Sequence, residues 1–156
     1  MELAWKRLSG GSGHEAGRQL LAQMYLKKTG QPLPEILLTP QGKPYFREKP
    51  WHFSISHTDE MVFCCLSEKN VGIDAESLQR QIPMPLAEKI LSPSEKSRLE
   101  AAPCQRDALL RLWVLKESYA KLTGKGLGNY LWNTDFDPQD PRIQIIDGCL
   151  VAVLSE

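Results

Sequence analysis

Val71-Gly72-Ile73-Asp74-Ala75-Glu76 reads as a short buried strand that ends in two carboxylates. Side chains alternate along a strand, so Asp74 and Glu76 share one face while Ala75 points to the other. Two like charges held beside a core repel. A hard divalent cation with oxygen ligands relieves that repulsion, and so does a strand end that runs out into a solvated acidic turn. These six residues alone fit both readings.

Working outward from this stretch, Trp51-His52-Phe53-Ser54-Ile55-Ser56-His57 alternates apolar and polar residues and predicts a strand with Trp51, Phe53 and Ile55 inward. Thr58-Asp59-Glu60 turns it into a second strand over 61–66, which makes 70–74 the third strand of a meander. Further upstream, Ala16, Leu20, Leu21, Met24 and Tyr25 recur at helical spacing over 14–28, and Gly30 stops that helix. Gln41-Gly42-Lys43-Pro44 reads as a turn. Downstream, Pro83 and Pro85 precede a short helix through Ile90. Ser92-Pro93-Ser94-Glu95 then carries the cap, first-turn proline and third-position glutamate of a helix start. The longest helix is expected over 105–123, closed by Gly124-Lys125-Gly126. Closing strands follow at 132–136, 143–146 and 150–154, the last two joined at Asp147-Gly148. Helix, strands, helices, strands is an α+β order.

Whole-chain properties narrow the function classes. With 156 residues the chain makes one compact unit or two small halves sharing a core. Its 19 basic and 19 acidic side chains cancel, so no overall field recruits nucleic acid or an anionic membrane. No apolar run reaches the length needed to span a bilayer, and Met1-Glu2-Leu3-Ala4-Trp5-Lys6 lacks a signal-peptide core. Cys64, Cys65, Cys104 and Cys149 form no CxxC pair, and adjacent Cys64 and Cys65 point to opposite faces of a strand. Reduced, packed thiols in a cytoplasmic protein are expected, without zinc.

On the long helix Arg106, Leu110, Trp113, Glu117 and Lys121 form one stripe. Glu117 and Lys121 make an i,i+4 pair that suits a solvated helix surface worth about 0.3–0.5 kcal/mol. Brought near Asp74 and Glu76, the same pair instead completes a cation site beside a phosphate clamp, because magnesium takes carboxylates together with phosphate oxygens and water.

Val71-Gly-Ile-Asp74-Ala-Glu76, followed by Leu112-Trp113-Val-Leu-Lys116-Glu117-Ser118-Tyr-Ala-Lys121, resembles the paired signature of the 4′-phosphopantetheinyl transferases. Gly42-Lys43-Pro44, Phe53-Ser-Ile-Ser56-His57 and Gly124-Lys125-Gly126-Leu127 are similar to the monomeric, surfactin-synthetase-activator branch. The resemblance runs from about His14 to the last strand. It implies an α+β fold that is a pseudo-dimer of two similar halves, 1–69 on the coenzyme A nucleotide side and 70–156 carrying the metal and catalytic helix. The active site then lies in the cleft between them.

The implied activity is that of a holo-[acyl-carrier-protein] synthase. Such an enzyme moves the phosphopantetheine arm of coenzyme A to a serine of an apo acyl or peptidyl carrier protein and releases adenosine 3′,5′-bisphosphate. The resemblance assigns Asp74, Glu76 and Glu117 to Mg2+ (Mn2+ as a substitute). It makes Glu117 the base, directly or through a water on the metal, and Lys121 the cation facing the leaving phosphates. Lys43, Pro44, Ser56 and His57, with Asp74 and Lys121, are the expected coenzyme A contacts. Arg7, His14 and Arg18 are candidates for the 3′-phosphate, because the region before His14 is shorter than in that branch. Trp113 and Lys116 are expected to pack on the helix, Lys116 as a snorkelling charge within reach of a phosphate. A monomer is expected, acting on a carrier protein and on neither nucleic acid nor membrane. A non-catalytic carrier-protein or nucleotide-binding module on the same fold is the competing expectation.

Overall fold

The computed structural model describes residues 1–48 and 50–156. In chain order it runs β1 (Glu2–Arg7), α1 (Gly13–Thr29), β2 (Ile36–Leu38), β3 (Pro44–Phe46), β4 (His52–His57), β5 (Met61–Ser67) and β6 (Val71–Ser77). Then come α2 (Met84–Ala87), α3 (Pro93–Ala101), α4 (Gln105–Thr123), a 3₁₀ turn (Asn129–Asn133), β7 (Ile143–Ile146) and β8 (Cys149–Ser155). The α+β expectation holds.

Two antiparallel three-stranded sheets form the centre, ordered β1-β5-β4 and β6-β8-β7, with β2-β3 as a separate hairpin. Both sheets follow one connectivity: strand, helix, strand, strand, with the third strand between the other two. Helix α1 covers the first sheet through Leu20, Leu21, Met24 and Tyr25. Helices α3 and α4 cover the second through Leu99, Leu112, Val114 and Leu115. Between the sheets lies a third apolar layer, in which Met61, Phe63 and Cys65 of β5 meet Val71, Ile73 and Ala75 of β6 and Val151 of β8. All seven residues of β5 are therefore buried. Cys64 faces α1 and Cys65 the second sheet, as adjacent strand residues must.

Local rules account for the element ends. Gly30 (φ 71°) and Gly124 (φ 72°) end α1 and α4 in the left-handed conformation. The Ser92 side chain and Glu95 form the expected reciprocal capping box at α3. Asp147 (φ 47°) and Gly148 (φ 77°) make the two-residue hairpin between β7 and β8.

Two expectations need correction, and two features were not foreseen. Strand β6 does not extend a meander: it pairs with β8, residue Asp74 opposite Ala152, and so opens the second sheet. The polar face of β4 is packed against the second sheet, a feature not foreseen: Ser54 and Ser56 are buried and accept hydrogen bonds from the Ile73 and Ala75 amides along the edge of β6. Serine hydroxyls thus stand where a neighbouring strand's carbonyls would be. Residues 132–136 are not a strand but the end of the 3₁₀ turn and the segment after it, fastened to α4 by the Lys116 ammonium. Strand β1, not foreseen, pairs with β5 from Glu2 opposite Leu66 to Arg7 opposite Met61.

Candidate active site

Strand β6 turns Val71, Ile73 and Ala75 into the layer between the sheets and Gly72, Asp74 and Glu76 toward α4. Gly72 is what lets the helix lie so close. A Cβ there would meet the Ser118 carbonyl oxygen at 2.1 Å and the Leu122 nitrogen at 2.4 Å. The Ser118 hydroxyl in turn donates to the carbonyls of Ala152 (2.6 Å) and Gly72 (3.2 Å), which pins α4 to the sheet. The stripe predicted on α4 therefore faces the carboxylates of β6.

Lys121 Nζ lies 2.7 Å from Asp74 Oδ1 and donates to Ser56 Oγ at 3.1 Å. Ser56 Oγ donates to the same Asp74 oxygen at 3.0 Å. Asp74 is 5% exposed, and its second oxygen, Oδ2, is buried without a hydrogen-bond partner among the described residues. Trp113 Nε1 donates to Glu76 Oε1 at 3.3 Å, so the indole orients that carboxylate as well as packing. Burial, then the charge of Asp74, raises the Glu76 pKa, with Arg80 opposing. Burial, then Asp74, pushes the Glu117 carboxyl up to about 7, against the pull of Lys121. A half-buried group of three carboxylates faces Lys121 and, at 3.9 Å from Glu76, the more exposed Arg80, so the group remains short of positive charge. The orphaned Asp74 oxygen and the raised glutamates are hard oxygen donors of the kind a divalent cation takes, but among the described residues no three His, Cys, Asp or Glu side chains stand close enough together to hold a metal ion as they are.

Asp74, Glu76, Glu117 and Lys121 line a cleft of about 550 Å³. Ser56 and His57 from β4 and Lys43 and Pro44 from the β2–β3 turn line it too, as do His14 and Arg18 of α1 and Gly124, Gly126 and Leu127 after α4. Of the three basic candidates for a terminal phosphate, His14 and Arg18 line this cleft. Arg7 lies elsewhere, 3.6 Å from Glu60 on the surface. The Lys43 ammonium points away from the carboxylates, to Asn70 and to the end of α4. Ser54 was expected within a strand and Asn70 at the start of one, but neither position carries a sequence signal of what its side chain will face.

Lys116 is the clear departure. It is fully buried and does not snorkel: its Nζ lies 2.7 Å from Glu95 Oε2 and also donates to the carbonyls of Leu131 and Thr134. Glu95 accepts from the amides of Ser92 (2.7 Å) and Phe136 (2.8 Å). Lys116, one step of about 100° around α4 from Glu117, faces the packed side and ties the segment after α4 to α3. Burial lowers its pKa and the Glu95 partner opposes that shift. Lys116→Met leaves a buried carboxylate and two carbonyls without their cation and is expected to cost about 3 kcal/mol, read from a urea midpoint.

Residues 70–148 match the family described as the 4′-phosphopantetheinyl transferase superfamily. The chain belongs to that superfamily. It is 36% identical over 124 residues to the 4′-phosphopantetheinyl transferase gsp of Aneurinibacillus migulanus, covering 72% of this chain and 51% of that protein. It is 38% identical over 89 residues to Sfp of Bacillus subtilis strain 168, covering 55% and 39%. It is 33% identical over 141 residues to AcpT of Salmonella typhi, covering 87% and 72%. The chain spans about half the length, or less, of the Bacillus-type relatives it matches. The superfamily match takes in β6 and α4, and with them Asp74, Glu76, Glu117 and Lys121. Lys43, Ser56 and His57 lie outside it.

Proposed function

We propose that this phosphopantetheinyl transferase family member moves the phosphopantetheine arm of coenzyme A to a serine of an apo acyl or peptidyl carrier protein and releases adenosine 3′,5′-bisphosphate. The observation that carries this reading is the meeting of Asp74, Glu76, Glu117 and Lys121 in one cleft, with a buried carboxylate oxygen that has no partner among the described residues. Asp74, Glu76 and Glu117 would hold Mg2+, with Mn2+ as a substitute. When bound, that cation supplies the positive charge that lets a pyrophosphate approach three carboxylates.

The chain's own groups then divide the work. Glu117, its pKa raised near neutrality, is matched to take the proton of the attacking serine hydroxyl. Lys121, held by Asp74 and Ser56, faces the phosphates as negative charge builds on the leaving bisphosphate. His57, His14 and Arg18 form the basic rim for the nucleotide phosphates, and the Lys43–Pro44 turn forms the wall beside them. In this reading 1–69 is the nucleotide half, 70–156 the metal and catalytic half, and the protein acts as a monomer. A reducing compartment such as the cytoplasm suits its four free cysteines. No helix among the described residues is long and apolar enough to cross a membrane.

The test is mass spectrometry of an apo-acyl carrier protein, and separately an apo-peptidyl carrier, incubated with this protein, coenzyme A and magnesium. One added phosphopantetheine that EDTA prevents is the expected result. No addition to either carrier, with coenzyme A also failing to bind, would overturn the reading.

A further inference from the structure

The β2–β3 hairpin belongs to neither three-stranded sheet, yet its turn forms part of the cleft wall. Thr39 closes that turn: its amide donates to the Lys43 carbonyl, its carbonyl accepts from Gly42 and its hydroxyl from the Lys43 amide. Beyond the turn, the Lys43 side chain leaves the hairpin altogether. Its Nζ reaches the Leu122 carbonyl and Asn70 Oδ1, each at 2.6 Å. Asn70 Nδ2 donates to the same Leu122 carbonyl at 3.0 Å. Leu122 stands in the last turn of α4, where carbonyls have no helical partner and a cation is favoured by the helix dipole. Gly124 leaves room for the lysine stem, since a Cβ there would lie 2.9 Å from Lys43 Cδ.

We infer that Lys43 and Asn70 form a clamp that fastens the hairpin wall to the end of α4. The clamp sets the width of the nucleotide end of the cleft, and Lys43 acts there as a positioning residue rather than as a phosphate ligand. The chemistry is specific to an extended cation meeting an orphan helix carbonyl and an amide oxygen. No other side chain at position 43 offers both reach and charge except arginine, whose planar fork does not share the lysine's compact point contact. Asn70 stands outside the cleft lining, so its substitution touches the clamp without touching a bound nucleotide.

The role in coenzyme A binding rests on the proposed function, whereas the clamp itself does not. Lys43→Met, Asn70→Ala and the double variant are compared by calorimetric titration with coenzyme A and magnesium, and by amide hydrogen exchange of the apo chain. A clamp predicts that each single variant weakens coenzyme A by about fivefold to tenfold and that the double variant is no weaker than the worse single, because both break one unit. It also predicts about tenfold faster exchange at Gly42 and Lys43 in each, with α1 unchanged.

Wild-type affinity in Asn70→Ala beside weak binding in Lys43→Met overturns the proposal and makes Lys43 a direct phosphate ligand. A lowered melting temperature with unchanged affinity and exchange overturns it as well, leaving the contact structural only. If the wild-type chain binds no coenzyme A, the functional reading fails. The exchange arm then decides the clamp alone: faster exchange in both variants upholds it, and unchanged exchange overturns it.

Discussion

Glu117→Gln is expected to lower phosphopantetheine transfer by about 10²-fold or more while the protein stays folded, since the change removes a base and a charge but no volume. The same variant carries an opposite stability signature. In the wild type the folded Glu117 pKa, about 7, lies above its ordinary value of 4.5, driven by burial and by Asp74. The folded chain thus holds this proton more tightly than the unfolded one. The associated stability is fully present below about pH 4.5 and is lost as pH rises through about 7.

Glutamine never ionises, so the variant keeps what the wild type loses. With EDTA present, urea midpoints at pH 4.5 are expected to coincide. At pH 8 the variant is expected to be the more stable by about 1–3 kcal/mol. Adding magnesium at pH 8 narrows the difference, because a cation that binds only the folded state favours the chain with the full carboxylate set. Equal midpoints at both pH values without metal would show that Glu117 is not held at a cost, and unchanged turnover would remove it from the site.

Gly72→Ala is expected to cost about 4 kcal/mol or more, beyond the usual range for a surface or core change. The new methyl would stand 2.1 Å from the Ser118 carbonyl oxygen and 2.4 Å from the Leu122 nitrogen, where ordinary contact begins at 3.4 Å. Both obstacles are backbone, so no rotamer change relieves them and α4 must draw back from β6 by more than an ångström. Ser118→Ala in the same chain is expected to give no rescue, since the hydroxyl is not what clashes. Moving α4 also moves Glu117 and Lys121 away from Asp74 and Glu76. A displacement of that size costs about 10²-fold in rate where the reacting groups are positioned for attack. Denaturant midpoints and turnover of whatever fraction folds provide the measurement. A fully stable, fully active Gly72→Ala protein would mean that helix and strand are not in the contact described.

Much of the molecule was legible before any fold was known. Helices α1, α3 and α4 are written in local terms: a 3.6-residue apolar period, a capping serine with its glutamate, and glycines that accept φ > 0 at the ends. The Asp147-Gly148 hairpin is equally local. Asp74, Glu76, Glu117 and Lys121 were legible for a related reason, because strand and helix periodicity places each on a definite face. The family resemblance supplied the pairing of those faces.

What lay outside local reach was every choice made between elements. Strand β6 has the same composition whether it pairs with β5 or with β8, and only the closure of two separate sheets decides for β8. Lys116 and Glu117 are neighbours on one helix, each a charged residue suited to solvent. Packing against α3 sends Lys116 inward to Glu95, while Glu117 turns to the cleft. Lys43 belongs to a turn that reads as a nucleotide contact, and its ammonium is claimed by Asn70 and by a helix end 79 positions away. Periodicity assigns a side chain to a face, and a charge finds its partner only when the chain brings a distant face against it. For this protein the sequence by itself determined which charged residues share a strand or helix face. The tertiary structure decided which of those faces meet in the cleft and which charges are paired elsewhere.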